Sequence, residues 1–139
     1  MKELTAEWMK KAEDDLLVAK REFEEPPVYD AVCFHSQQCV EKCLKAVLQE
    51  NDVYFEKTHD LYTLLNKCKV FIPELLNYKI ELIELSSFAV EVRYPGTESN
   101  AEEAEKSLLV ADKIIKIVRS YMENGKQLKN HDNITKIQK

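Results

Sequence analysis

Turn-forming residues are scarce in this chain, and their placement constrains the fold more than any other feature. The 139 residues include two glycines and four prolines, at Pro26–Pro27, Pro73, Pro95–Gly96 and Gly125. An all-β domain needs turn signals every 8–12 residues or so. The long uninterrupted stretches here instead favour helices joined at those few breaks. A chain of this length is the size of one domain, and its 45% hydrophobic content suffices for one core.

Hydrophobic periodicity divides the chain into five helical segments. The first spans about 5–24, with Thr5 as its cap and Trp8, Met9, Ala12, Leu16, Ala19 and Phe23 on one side; Pro26 stops it. The second spans about 30–50, capped by Asp30. Its apolar positions cover over half the circumference, which implies more than one neighbour. The opposite face carries His35, Gln38, Glu41, Lys42, Lys45 and Gln49. The third is short, about 59–69, capped by Thr58. The fourth is expected over 74–93; Leu75, Tyr78, Leu82, Leu85, Ala89 and Val92 form one stripe, and Leu76, Ile80, Ile83 and Val90 another, as an inner helix requires. The fifth spans about 100–124, opening on the capping box Ser99-x-x-Glu102 and stopping at Asn124–Gly125. Four long helices and one short one, with short connections, read as an all-α, up-and-down antiparallel four- to five-helix bundle. Residues 1–125 form that bundle, and 126–139 a basic tail.

The formal charge is −5 overall, while the tail holds four lysines and one aspartate, so the body stands at −8. An acidic body argues against broad non-specific nucleic-acid binding, and leaves room for a small basic pocket. The N-terminus is too charged for a secretory signal, and no apolar run reaches membrane-spanning length, which points to the cytoplasm. Cys33, Cys39, Cys43 and Cys68 form no C-x-x-C pair and read as reduced, packed thiols. There is no Gly-rich phosphate loop, H-E-x-x-H or G-x-S-x-G. Glu56-x-x-His59 has the spacing of a carboxylate-bridged metal motif, but no second copy exists. No metal or cofactor is expected.

Three groups of residues carry possible chemistry. Arg93, at the end of the fourth segment, either complements that helix's C-terminal dipole or points a fork of donors at a phosphate. His35, Gln38, Lys42 and Lys45 share a face that suits a phosphate or base edge, or is a solvated face with Glu41–Lys45 paired at i,i+4. Lys57-Thr58-His59-Asp60 opens a helix, either as an anion site or as a capping motif.

In order along the chain, Phe34-His35-Ser36-Gln37-Gln38 with Glu41-Lys42 and Leu44-Lys45-Ala46, then Lys57-Thr58-His59-Asp60-Leu61, then Arg93-Tyr94-Pro95 closely resemble the HEPN family, over about residues 5–123. The resemblance implies a helical bundle, usually a homodimer, often paired with a minimal nucleotidyltransferase. In that setting the bundle is a nucleotide-binding partner or one half of a toxin–antitoxin pair. Arg93, Lys42, Lys45, Lys57, His59, His35 and Gln38 then become the expected nucleotide- or phosphate-binding residues. Many members of the family are metal-independent ribonucleases with an Arg followed four to six residues later by a His. Here Arg93 matches the Arg, but positions 98, 99 and 100 are Glu98, Ser99 and Asn100. An RNA-cleaving toxin is therefore the alternative reading, with His35 or His59 in place of the missing imidazole; no catalytic residue is assigned. A second alternative is a non-catalytic docking module.

Overall fold

The computed structural model describes residues 1–90 and 94–138, with side chains through residue 125. Among the described residues, five α-helices follow in order: α1 (Glu3–Glu22), α2 (Tyr29–Glu50), α3 (Leu61–Cys68), α4 (Lys79–Ser86) and α5 (Ala101–Gln138). A 3-10 turn, Pro73–Tyr78, leads into α4. No strand is present among the described residues.

The architecture is the expected bundle. α1 starts where α2 ends: the Lys2 backbone N–H donates to Glu50 at 2.9 Å, and the Thr5 hydroxyl donates to the same carboxylate oxygen at 3.1 Å. α1 and α5 are also antiparallel, since Arg119 meets Glu13 and Lys20 meets Asp112. α2 and α5 run the same way. Asp30, at the start of α2, accepts from the Ser99 backbone N–H at 2.7 Å, and Asn51, at its end, donates to the Tyr121 hydroxyl at 3.0 Å. α4 returns between them, and α3 is a short insertion in the α2–α4 crossover.

α2 is the central element. Val32, Cys33, Cys39, Val40, Cys43, Leu44, Ala46, Val47 and Leu48 are all fully buried, so its wide apolar arc does contact several neighbours. Alanines 12, 19, 104 and 111 are equally buried on α1 and α5. A methyl side chain allows the helix axes to approach closely, so the larger Leu and Ile side chains fill the remaining space.

Several helix ends differ from expectation. Thr5 lies inside α1, whose cap position is Lys2. α2 is entered from Val28, and Asp30 serves as the tie to Ser99. Asp60, not Thr58, caps α3, accepting from the Tyr62 N–H at 3.1 Å; the Thr58 hydroxyl accepts from the Asp60 N–H one step earlier. The capping box of α5 is Asn100-x-x-Glu103, one residue beyond the expected one. The Glu103 N–H donates to Asn100 at 2.8 Å and the Asn100 N–H to Glu103 at 3.2 Å. The Asn124–Gly125 stop is crossed, and α5 continues to Gln138. A glycine inside a helix costs only about 1 kcal/mol, which a long helix absorbs.

The fourth segment differs most. In place of one helix over 74–93 stand the 3-10 turn and an α4 that ends at Ser86. The two serines at its end give the backbone other partners: the Ser86 hydroxyl accepts from the Leu61 N–H at 3.0 Å, and the Ser87 hydroxyl donates to the Glu84 carbonyl at 2.8 Å. Leu75, Leu82 and Leu85 are buried as expected, whereas Leu76, Ile80, Ile83 and Val90 are exposed. α4 is thus an outer helix with one buried stripe.

Candidate functional site

The polar residues of α2 are covered rather than solvated. Glu41 and Lys45 expose 4% and 8% of their side chains. Trp8 of α1 lies under the Lys45 ammonium, 5.6 Å from ring centroid to Nζ, and Phe55 packs edge-on against Trp8 at 6.3 Å. The connection between α2 and α3 lies over this face. Its backbone is tied down where the Val53 N–H donates to the Leu48 carbonyl at 2.9 Å.

Glu41 is the hub of the network. Its Oε2 accepts from Lys45 Nζ at 3.0 Å. Its Oε1 is within 2.8 Å of His59 Nδ1 and accepts from Gln37 Nε2 at 3.3 Å. Gln37 Nε2 also donates to the His59 carbonyl at 3.1 Å, and Gln38 donates to Gln37 Oε1 at 2.7 Å. The Glu41–Lys45 spacing thus yields a buried ion pair with further hydrogen bonds on the carboxylate, which is what makes such a pair tolerable away from water.

This arrangement fixes the tautomer of His59. A carboxylate only accepts hydrogen bonds, so the imidazole must carry its proton on Nδ1. In the neutral ring the lone pair then sits on Nε2. The His59 side chain is 68% exposed, so a buried carboxylate holds an open imidazole in one protonation geometry. This is the arrangement by which a carboxylate orients a proton-transferring or ligand-binding histidine.

A second network ties α2 to α1. Asp15, buried on the apolar side of α1, accepts from Lys42 Nζ at 2.5 Å through Oδ2 and meets His35 Nδ1 at 2.9 Å through Oδ1. The His35 ring also stands nearly perpendicular to the Phe34 ring, with centroids 5.1 Å apart.

The expected site residues therefore separate. Lys45, Gln38 and His59 belong to the Glu41 network, and His35 and Lys42 to the Asp15 network. Lys57 is exposed two residues before His59. Arg93 lies outside the described residues. Sequence reading missed Asp15 and the central role of Glu41. Asp15 had a signal, since it stands three residues after Ala12 and one before Leu16, within the buried stripe. Glu41 had none beyond its i,i+4 lysine, because the cover is supplied by a connection distant in sequence.

Other chemistry is remote from this face. All four cysteines are free and buried. Burial pushes the Cys68 thiol up to about 12 and raises Cys33; Cys43 is raised by its hydrogen bond with Cys39 and then by burial. Thiols held protonated in this way are poor nucleophiles. Among the described residues no group of His, Cys, Asp and Glu is arranged to hold a metal ion, and no helix is long and apolar enough to cross a membrane.

Comparison with known proteins agrees with this description. The model of the HEPN domain matches residues 5–121. A protein of Methanocaldococcus jannaschii named "Putative toxin MJ1304" is 30% identical over 138 residues, covering 88% of this chain and 90% of its own. The crystal structure of ST0689, described as an archaeal HEPN homologue, superposes with a TM-score of 0.68 at 26% identity, over 86% of this chain and 98% of that one. TT1696 from Thermus thermophilus shares the fold, with a TM-score of 0.70 at 24% identity over 84% and 97% of the two chains.

Proposed function

Because this chain belongs to the HEPN family, we propose that it is the helical, nucleotide-binding half of a two-protein toxin–antitoxin-type system whose other half is a minimal nucleotidyltransferase. The observation that carries this reading is the His59 imidazole, held by buried Glu41 and open to solvent, with the Lys57 cation two residues away. An acceptor nitrogen, Nε2, and a cation on one short connection suit a hydroxyl and a phosphate of a nucleotide. Arg93 supplies a further cation in this reading. Lys42 and Lys45 act indirectly, by neutralising the carboxylates that set the histidines, since both ammonium groups are already paired.

The protein works as a homodimer in this reading. The groove between α4 and α5, about 670 Å³, is lined by Ile80, Leu85, Phe88, Leu109 and Val110; Ile80 is 70% and Leu109 54% exposed. Its rim is acidic on α4 (Glu81, Glu84) and largely basic on α5 (Lys106, Lys113). A two-fold axis that sets α4 of one copy against α5 of the other brings opposite charges together. Ile80→Glu with Leu109→Glu is expected to leave a folded monomer by light scattering. A wild-type chain that is already monomeric at micromolar concentration refutes the dimer.

Calorimetric titration with ATP, GTP and short RNA, together with capture from the native cell, tests the main reading. Heat with at least one of these ligands and recovery of a nucleotidyltransferase are expected. No heat and no such partner overturn it.

The His59 geometry also favours a second reading, an RNA-cleaving toxin in which Nε2 takes the proton of the attacking 2′-hydroxyl. Growth arrest on expression, lost in His59→Gln and in Arg93→Ala, supports it. Intact cells and intact RNA exclude it.

A further inference from the structure

A second, smaller cavity, about 320 Å³, opens between the α2–α3 connection and α3. We infer that it is a ribonucleoside-phosphate seat, with Lys67 at the phosphate, Glu56 at the ribose and Tyr54 under the base. The inference rests on the nucleotide-binding reading above and places the ligand beside Lys57 and His59, which flank Thr58 of the cavity wall.

The cavity wall carries both donors and acceptors. Lys67 Nζ donates to the Tyr54 carbonyl at 3.1 Å. That uses one of three N–H bonds and fixes the ammonium at the wall, leaving two donors for phosphate oxygens. The Thr58 hydroxyl accepts from the Asp60 N–H at 3.1 Å, so its own proton is available to a ligand in the cavity. The opposite polarity comes from Thr63 and Glu56. The Thr63 hydroxyl donates to Asp60 Oδ2 at 2.9 Å and so presents its lone pairs. Glu56 brings an exposed carboxylate, the group that holds vicinal ribose hydroxyls in other nucleotide sites. Tyr54 is 78% exposed and lines the cavity, and bases stack on such aromatic rings irrespective of sequence.

A volume near 320 Å³ is at the lower end for small-molecule sites, which suits one nucleoside monophosphate unit. The α4–α5 groove is larger and mostly apolar, and its two lysines, Lys106 and Lys113, share it with three carboxylates, Glu81, Glu84 and Glu103. Lys42 and Lys45 are engaged by carboxylates, whereas the fixing partner of Lys67 is a neutral carbonyl, so its charge remains for a ligand.

The test is calorimetry on the full chain with AMP, ATP and dAMP, for the wild type and for Lys67→Met, Tyr54→Ala and Glu56→Gln. AMP and ATP are expected to bind the wild type. Tyr54→Ala and Lys67→Met each weaken AMP by about tenfold or more, the scale of one lost stacking or charged contact. dAMP, lacking one ribose hydroxyl, binds more weakly than AMP to the wild type, and Glu56→Gln removes that difference. Tyr54 and Glu56 are exposed, so their variants report on the ligand even if Lys67→Met loosens the connection. Wild-type binding of AMP that all three variants retain within about twofold overturns the location and leaves the nucleotide reading intact. ATP binding without AMP binding also overturns this seat. No heat from AMP, ATP, GTP or RNA removes both.

Discussion

Removing the Glu41 carboxylate is the most informative perturbation of the α2 network. In Glu41→Leu the Lys45 ammonium keeps its charge, its burial and its place over Trp8, and loses its counter-ion. Both partners are under a tenth exposed, so solvent screening gives little relief. Breaking one side of such a pair costs about 3–5 kcal/mol. A domain's total stability is about 5–15 kcal/mol, so the loss is a large fraction of it. At a urea m-value of about 2 kcal/mol per molar, the midpoint falls by about 2 M. The double variant Glu41→Leu/Lys45→Met removes both charges and refills the space. Gln37 keeps its bond to the His59 carbonyl and loses only the longer one to Glu41, and the exposed His59 turns to water, so the cost of one buried N–H, about 1 kcal/mol, is set against the relief of removing two buried charges. The double variant is expected within about 1 kcal/mol of the wild type. Urea unfolding of the four proteins closes a double-mutant cycle. A single variant that costs under about 1 kcal/mol, or a double variant no better than the single, refutes the claim that Glu41 and Lys45 form a buried, mutually dependent pair.

Asn100→Ala removes the reciprocal cap with Glu103 and is expected to cost about 0.5–2 kcal/mol by urea unfolding, whereas Ser99→Ala costs less at the hydroxyl because the tie to Asp30 uses the Ser99 backbone. Cys68, with its thiol pushed up to about 12, is expected to resist a thiol reagent in the native state and to react once urea unfolds the chain; modification at the rate of a free thiol contradicts its burial. Asp112 is held below the ordinary carboxylate range chiefly by its hydrogen bond from Lys116. A depressed carboxyl contributes stability above its unfolded value near 4, which is lost as the pH falls through the lower folded value. The wild type should therefore lose more melting temperature than Asp112→Asn between pH 6 and pH 2.5; equal losses contradict the pairing.

The helices were legible where a period and a stop signal coincide. α1 ends within two residues of expectation, with Pro26 just beyond it, and α2 ends at Glu50 as its period implied. α4 was not legible. Leu76, Ile80, Ile83 and Val90 keep helical spacing yet face outward, and periodicity alone cannot say whether an apolar stripe faces the core or an open groove. Gly125 misled because a helix already several turns long crosses one glycine at small cost. In the site, the sequence puts His35, Gln38, Lys42 and Lys45 on one face of α2 but does not show what surrounds them. A polar face looks solvated in sequence, and only the fold brings Trp8, Phe55 and Asp15 over it. Asp15 shows the physical reason: an acidic residue within a buried stripe requires a partner, but the spacing cannot name Lys42, 27 positions away.

Nitrogen-detected NMR of the imidazoles tests the central claim most directly, since the chain has three histidines and the tautomer of each is readable. His59 should show its proton on Nδ1, as its bond to Glu41 requires. Its Nε2 resonance should move on addition of AMP or ATP, and the tautomer preference should vanish in Glu41→Leu. A His59 ring protonated on Nε2, or one whose nitrogens stay fixed at saturating nucleotide, contradicts the claim that buried Glu41 presents this imidazole to a ligand.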